Sequence, residues 1–223
     1  MIEAVIFDVD GTLIDSVDPH ARAWLWVFAR HGHDIPLEDL RRQIGKGGDQ
    51  ILSTFLSDDE IEHIGKTLEA ERKDFFKVEY MPHLRAFSDV RELFERIIAD
   101  GKKIVLASSA KGNELEEYKK IAGIDDLIHE ETSSDDAEES KPEPDIFQAA
   151  LGKLGDLDPS KAIVVGDSTW DAIAAGKAGI KSIGVLCGGF PAEELKDAGC
   201  IAIYANPADL LARYDESPLA GGS

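Results

Sequence analysis

Residues 4–12 read AVIFDVDGT. Four apolar, β-leaning residues, Ala4 to Phe7, run straight into Asp8, Val9, Asp10, Gly11 and Thr12. This predicts a buried strand that ends in a loop. Side chains alternate along a strand, so positions two apart return to one side. Asp8 and Asp10 can therefore both face a crevice once the loop turns, with Gly11 allowing close backbone approach. Two carboxylates at a buried strand end cost free energy unless something positive offsets them. Mg²⁺, a hard cation that prefers oxygen, fits that demand. An Asp-Gly turn explains the same letters equally well.

Whether the stretch is a site depends on what surrounds it. From residue 88 onward the periodicity alternates: helix 88–100, strand 103–108, helix 112–122, strand 126–130, helix 144–154, strand 161–166, helix 169–178 and strand 181–186. Helix 192–198, strand 201–204 and helix 207–213 follow. Strands alternating with helices predict an α/β fold, a doubly wound, Rossmann-like parallel sheet covered on both faces. Residues 17–31 read as a helix, with Asp18 as a cap, Pro19 in the first turn and Gly32 as the stop. Helical patterns continue over 37–43, 49–57 and 58–79 with no convincing strand. The expected organisation is an α/β core (1–15 and 84–215), an all-helical insert (16–83) and a flexible polar tail (216–223).

The formal net charge of −20 argues against nucleic acid or an anionic membrane surface as partner, since both demand excess cations. No apolar run approaches the roughly 20 residues that span a bilayer. MIEAVIFDVD lacks the basic n-region of a secretory signal. Cys187 and Cys200 are too few and too unpatterned for a disulfide framework, so a cytoplasmic location is expected.

In an open parallel sheet, ligands gather at the carboxyl ends of the strands. KIVLA (103–107) leads into Ser108-Ser109, whose hydroxyls and N–H groups suit either a phosphate or a helix cap. AIVVG (162–166) leads into Asp167, which can meet Asp8 and Asp10 around one metal. Asp171 stands in the first turn of the next helix, where the dipole favours a carboxylate, so it takes a supporting role. Between these, SSDDAEESKPEPD (133–145) holds six carboxylates and one cation, Lys141. Pro142 disfavours helix at Lys141. The residue can therefore stay extended before helix 144–154 begins.

Taken in order, FDVDGT, VLASS, SKPEPD and VVGDSTWD resemble the four motifs of the haloacid dehalogenase-like hydrolase superfamily. The insert resembles that superfamily's small helical cap. The resemblance implies that Asp8 is the nucleophile and forms an aspartyl phosphate, and that Asp10 is the acid/base. It implies Mg²⁺ held by the Asp8 side chain, the Asp10 main-chain carbonyl and Asp167. Ser108, Ser109 and the Gly11 loop would bind the phosphoryl oxygens, and Lys141 would neutralise them. Asp10 and Thr12 resemble the phosphatase form of the first motif, so a small phosphorylated metabolite is the implied substrate. DSVDPHARAW (15–24) also resembles the segment leading into the cap of β-phosphoglucomutase, with His20 near the acid/base. Such mutases place an arginine near Gly48, and here only Lys46 offers a cation. A phosphosugar mutase and a non-catalytic phosphate-sensing module stand as alternatives to the phosphatase.

Overall fold

The computed structural model describes residues 1–220. Six parallel strands form one sheet in the order β3-β2-β1-β4-β5-β6. They are β1 (Ala4–Phe7), β2 (Lys103–Ala107), β3 (Glu130–Thr132), β4 (Ala162–Gly166), β5 (Lys181–Val185) and β6 (Cys200–Tyr204). Between β1 and β2 the chain is helical: α1 (Val17–Arg30), α2 (Leu37–Arg41), α3 (Gly48–Phe55), α4 (Asp58–Glu60), α5 (Lys66–Glu79) and α6 (Val90–Ala99). Helices α7 (Gly112–Ala122), α8 (Asp145–Lys153), α9 (Thr169–Lys177), α10 (Ala192–Asp197) and α11 (Pro207–Ala212) alternate with the later strands. The parallel, doubly wound core read from the sequence is the one observed.

Strand β1 lies between β2 and β4, with Phe7 level with both Leu106 and Val165. One residue on, Asp8 leaves the sheet at its carboxyl edge beside Ala107 and Gly166, where the strand order switches direction. Alternation decides which side it takes. Val5 and Phe7 pack with Phe94 and Ile97 of α6. Ile6 packs on the other face with Ile146 and Phe147 of α8 and Ala174 of α9. Asp8 shares the parity of Ile6, so it emerges towards α8 and α9.

A third apolar cluster lies wholly in the insert and includes Trp24, Phe28, Ile51, Leu52 and Leu68. The two chain segments joining the insert to the sheet pair with each other. Asp15 N–H donates to Arg85 O and Phe87 N–H donates to Leu13 O, each at 2.9 Å.

Two expectations need correction. The strand expected over 126–130 lies at Glu130–Thr132, because Asp125–Leu127 closes as a 3-10 turn, with Leu127 N–H donating to Ile124 O. Apolar Leu127 and Ile128 pack sideways on the core instead of entering the sheet. The tail expected to be flexible from 216 packs as far as Ala220, since Leu219 is fully buried in one cluster with Leu210 and Tyr214. A polar average conceals one anchoring leucine, worth roughly 1.5–3 kcal/mol when buried. The remainder of that tail, 221–223, lies outside the described residues.

Candidate active site

Lys141 and Asp8 meet inside the protein. The Lys141 side chain is fully buried, with Nζ donating to Asp8 Oδ1 at 2.6 Å and to Ala107 O at 3.2 Å. A second carboxylate, Asp171 Oδ1, lies 2.7 Å from the same ammonium, as an ion pair outside hydrogen-bond alignment. The other oxygen of Asp171 accepts from Ser168 Oγ (2.6 Å) and Ser168 N–H (3.1 Å), while Ser168 caps α9 in return. Asp171 thus both closes a capping box and holds the lysine. The helix dipole alone understated its part.

Asp167 completes the group. Thr12 Oγ1 lies 3.0 Å from Asp167 Oδ1 and 3.2 Å from Asp8 Oδ2, giving its single proton to one of them at a time. Asp8, Asp167 and Asp171 are all buried, with one oxygen of each within 4.8 Å of the others. Three carboxylates against one ammonium leave two formal negative charges. Burial first, then Asp171, pushes the Asp8 carboxyl up to about 7 despite Lys141. Burial first, then Asp8 and Asp171, hold Asp167 well above the ordinary carboxylate range. Against two opposite charges, burial included, the Lys141 ammonium is held more firmly than in water. An all-oxygen donor set with two charges to spare suits a divalent cation such as Mg²⁺.

The backbone leaves room for this packing. A Cβ on Gly188 would come within 1.6 Å of Asp167 Oδ2, and one on Gly11 within 2.5 Å. Gly11 has φ +84°, a region other residues rarely adopt. Its N–H donates to Ile14 O at 2.8 Å, so the expected phosphate contact from that amide is already occupied. Gly11 serves as the bare wall beside Asp167. Gly188 carried no signal in the sequence, lying after an unremarkable strand.

Asp10 goes elsewhere. Its Oδ1 accepts from Ser16 Oγ at 2.6 Å and lies 2.9 Å from His20 Nε2. Its side chain is therefore absent from the three-carboxylate group, and only its main-chain carbonyl is left for the expected metal role. Arg72 Nη1 lies 3.2 Å from His20 Nδ1. Arginine has no acceptor, so this contact needs a bare Nδ1 and puts the ring proton on Nε2, facing Asp10. Phe76, one turn further along α5, stacks on the imidazole at 3.9 Å, and Tyr118 OH lies 3.1 Å from Nε2. Burial would push the Asp10 carboxyl up, but His20 and Ser16 more than reverse that and hold it below the ordinary value. His20 was legible in the sequence; Arg72 and Tyr118, 52 and 98 residues away from it, were not.

The family model for haloacid dehalogenase-like hydrolases matches residues 5–185, the span that carries all of these groups except Gly188. The chain belongs to the haloacid dehalogenase-like hydrolases. It is 30% identical to a phosphorylated carbohydrates phosphatase of Thermotoga maritima, over 94% of this chain and 97% of that one. It is 31% identical to a phosphoglycolate phosphatase of Yersinia pestis, over 94% and 92% of the two chains. The crystal structure of a hydrolase from Pseudomonas syringae superposes with a TM-score of 0.88 at 28% identity, over 96% and 98% of the two chains.

In this hydrolase the inserted helices sit directly on the strand ends. The loop between α2 and α3 threads its glycines over them. A Cβ on Gly45 would come 2.7 Å from Ser168 Oγ, and one on Gly47 would come 2.0 Å from Ser140 Oγ, next to Lys141. Ser109 Oγ donates to Gly45 O at 3.2 Å. Trp170 Nε1 donates to Arg42 O at 3.1 Å, and its ring underlies Lys46 Nζ at 4.0 Å. Lys46 also donates to Gln43 Oε1 at 2.7 Å, and burial lowers its pKa. Ser108 is fully buried, and its Oγ accepts from Ala110 N–H at 3.0 Å, leaving its hydroxyl proton to give. A cavity of about 50 Å³ remains, bounded by Asp8, Asp10, His20, Lys46 and Ser109.

Proposed function

We propose that the chain is a Mg²⁺-dependent phosphatase that hydrolyses a small phosphorylated metabolite through an aspartyl phosphate on Asp8. The observation that carries this reading is the division of labour between two aspartates two residues apart. Asp8 is paired with Lys141 at 2.6 Å, whereas Asp10 is turned away onto His20 at 2.9 Å. Side chains held on different partners leave one carboxylate to meet phosphorus while the other reaches the leaving oxygen.

Asp8 attacks phosphorus as the bond from phosphorus to the leaving oxygen breaks, and that oxygen takes a proton from Asp10. Water then attacks the aspartyl phosphate and gives Asp10 a proton. The Asp8–phosphorus bond breaks, releasing inorganic phosphate. In this arrangement Asp10 is held below its ordinary value and is ionised, so it is free to take that proton, and the His20 N–H orients it. Lys141, the Ser108 hydroxyl and the Ser109 N–H would face the phosphoryl oxygens, since phosphoryl transfer is mostly alignment and charge stabilisation. Mg²⁺ would be held by Asp8, Asp167 and the Asp10 main-chain carbonyl, and bound there it would supply positive charge beside the transferring group. Asp171, with both oxygens engaged, would keep Lys141 in place.

Relatives named as phosphatases of a carbohydrate phosphate and of phosphoglycolate support the reaction class. Cys187 and Cys200 are free, which fits a reducing cytoplasm. No helix among the described residues is long and apolar enough to cross a membrane. The test is phosphate release from a panel of phosphorylated metabolites with Mg²⁺. Turnover should vanish in Asp8→Asn and on chelation. Interconversion of hexose phosphates without net phosphate release would contradict the reading and favour a mutase.

A further inference from the structure

Tyr118 is the part of the Asp10 arm that comes from the core. It lies on α7, one turn beyond Glu114, and its ring packs in the same apolar cluster as Phe7, Phe94 and Leu115. The residue is only 1% exposed, so core packing, not the insert, fixes where the ring stands. Its hydroxyl lies 3.1 Å from His20 Nε2, the nitrogen that faces Asp10 Oδ1 at 2.9 Å. The hydroxyl also stands close enough to the Asp10 carboxyl to lower that group's pKa as a donor, alongside His20 and Ser16.

A phenol has one proton to give, and its neighbours decide where that proton points. Arg72 donates to His20 Nδ1, so Nε2 carries the ring proton and offers the phenol no acceptor. The Tyr118 proton therefore goes to the Asp10 carboxylate. Burial first, then the charges of Asp10 and Glu114, hold that proton more firmly than in water, against the opposing pull of Arg72. Ser16 and His20, the other two donors to Asp10, sit one turn apart at the start of α1 and approach from that helix. Tyr118 alone ties the carboxylate to α7. Resting on the phosphatase reading, we infer that Tyr118 is a positioning residue for the second half-reaction, its O–H holding the Asp10 carboxylate where it meets the attacking water. In that step the water oxygen bonds to phosphorus and a water proton passes to Asp10. The Asp8–phosphorus bond breaks and returns its electron pair to the Asp8 carboxylate. A donor bonded to the carboxylate favours the form that accepts a proton.

The experiment follows single turnovers of p-nitrophenyl phosphate with Mg²⁺ and enzyme in excess, in the wild type and in Tyr118→Phe, which deletes the hydroxyl and keeps the ring. p-Nitrophenolate leaves without needing a proton, so its release reports attack by Asp8. Acid-quenching at intervals reports decay of the phosphoenzyme, the step that needs Asp10. In Tyr118→Phe the decay should slow by about tenfold, part of the roughly 10²–10⁴-fold that a positioned acid/base contributes. The release rate should stay within about twofold, so that phosphoenzyme accumulates. Equal slowing of both rates would mark a residue that merely supports the fold and would overturn the inference. Decay as fast as in the wild type would overturn it too, and either result leaves the phosphatase reading intact. No turnover of p-nitrophenyl phosphate by the wild type would remove the phosphatase reading and this inference with it.

Discussion

Asp8 and Asp10 start from the same strand end and are completed by different parts of the molecule. The Asp8 centre is built entirely from the carboxyl edge of the sheet: Lys141 from the loop before α8, Asp167 after β4, Asp171 in α9. The Asp10 arm is finished by the inserted helices, with His20 on α1 and Arg72 and Phe76 on α5, together with Tyr118 on α7. Asp8 sits in a fixed charge cluster that no movement of the insert need disturb. Asp10 is held in its present arrangement only while α1 and α5 rest on the core. On the proposed reading, charge neutralisation belongs to the sheet, and proton handling depends on the docked insert.

The largest expected effect strikes the sheet side. Lys141→Ala should lower kcat/KM by about 10³-fold, because the Asp8 and phosphoryl charges lose their fixed counter-ion. In chelator it should also destabilise the protein by about 3 kcal/mol, since two carboxylates would be buried without their partner. Steady-state kinetics and denaturant unfolding read the two losses. Normal turnover would break the claim that the sheet side carries the charge.

Next comes the insert side. His20→Ala should reduce kcat by about 10- to 100-fold with little change in KM, because Asp10 loses its N–H donor while the Asp8 centre stays intact. A loss as large as that of Lys141→Ala would show that the two halves are not separable.

A smaller effect lies in the pH dependence of stability without metal. Folded Asp8 is raised to about 7, whereas an unfolded aspartate titrates near about 3.9. The native state therefore keeps a proton that the unfolded chain has already released. The resulting stability is fully present below about pH 4 and is lost as pH rises through about 7. Saturating Mg²⁺ should flatten that slope by competing with the proton. Melting temperatures across this window, with and without Mg²⁺, measure it.

The smallest effect concerns docking. Trp170→Ala removes the hydrogen bond to Arg42 O and the ring beneath Lys46. It should raise KM by about three- to tenfold and spare kcat.

The same two regions differ in how legible they were. Asp8, Lys141 and Asp167 are far apart in the chain, yet each directly follows an apolar strand or sits in an extended Pro-bounded segment. Strand ends converge in a parallel sheet whatever the loops between them do. That geometry is general, so short motifs sufficed. Arg72, Tyr118 and Glu114 lie inside helices, where a polar residue is usually a solvated one and nothing local says which face meets the sheet. Strand β3 was misplaced for a related reason. At the sheet edge, pairing of Val105 with Glu130 outweighed the apolar run just before it. Gly11 was expected as an amide donor, and only the fold revealed that its N–H was already spent on Ile14.

On the proposed reading, Asp8 carries the phosphoryl group between the two half-reactions. Acid-quenching the enzyme during turnover with Mg²⁺, followed by peptide mass analysis, addresses it directly. The N-terminal peptide should gain the mass of one phosphoryl group on Asp8, and that gain should be absent in Asp8→Asn. A phosphoryl group found on any other residue would contradict the claim, as would undiminished phosphate release by Asp8→Asn.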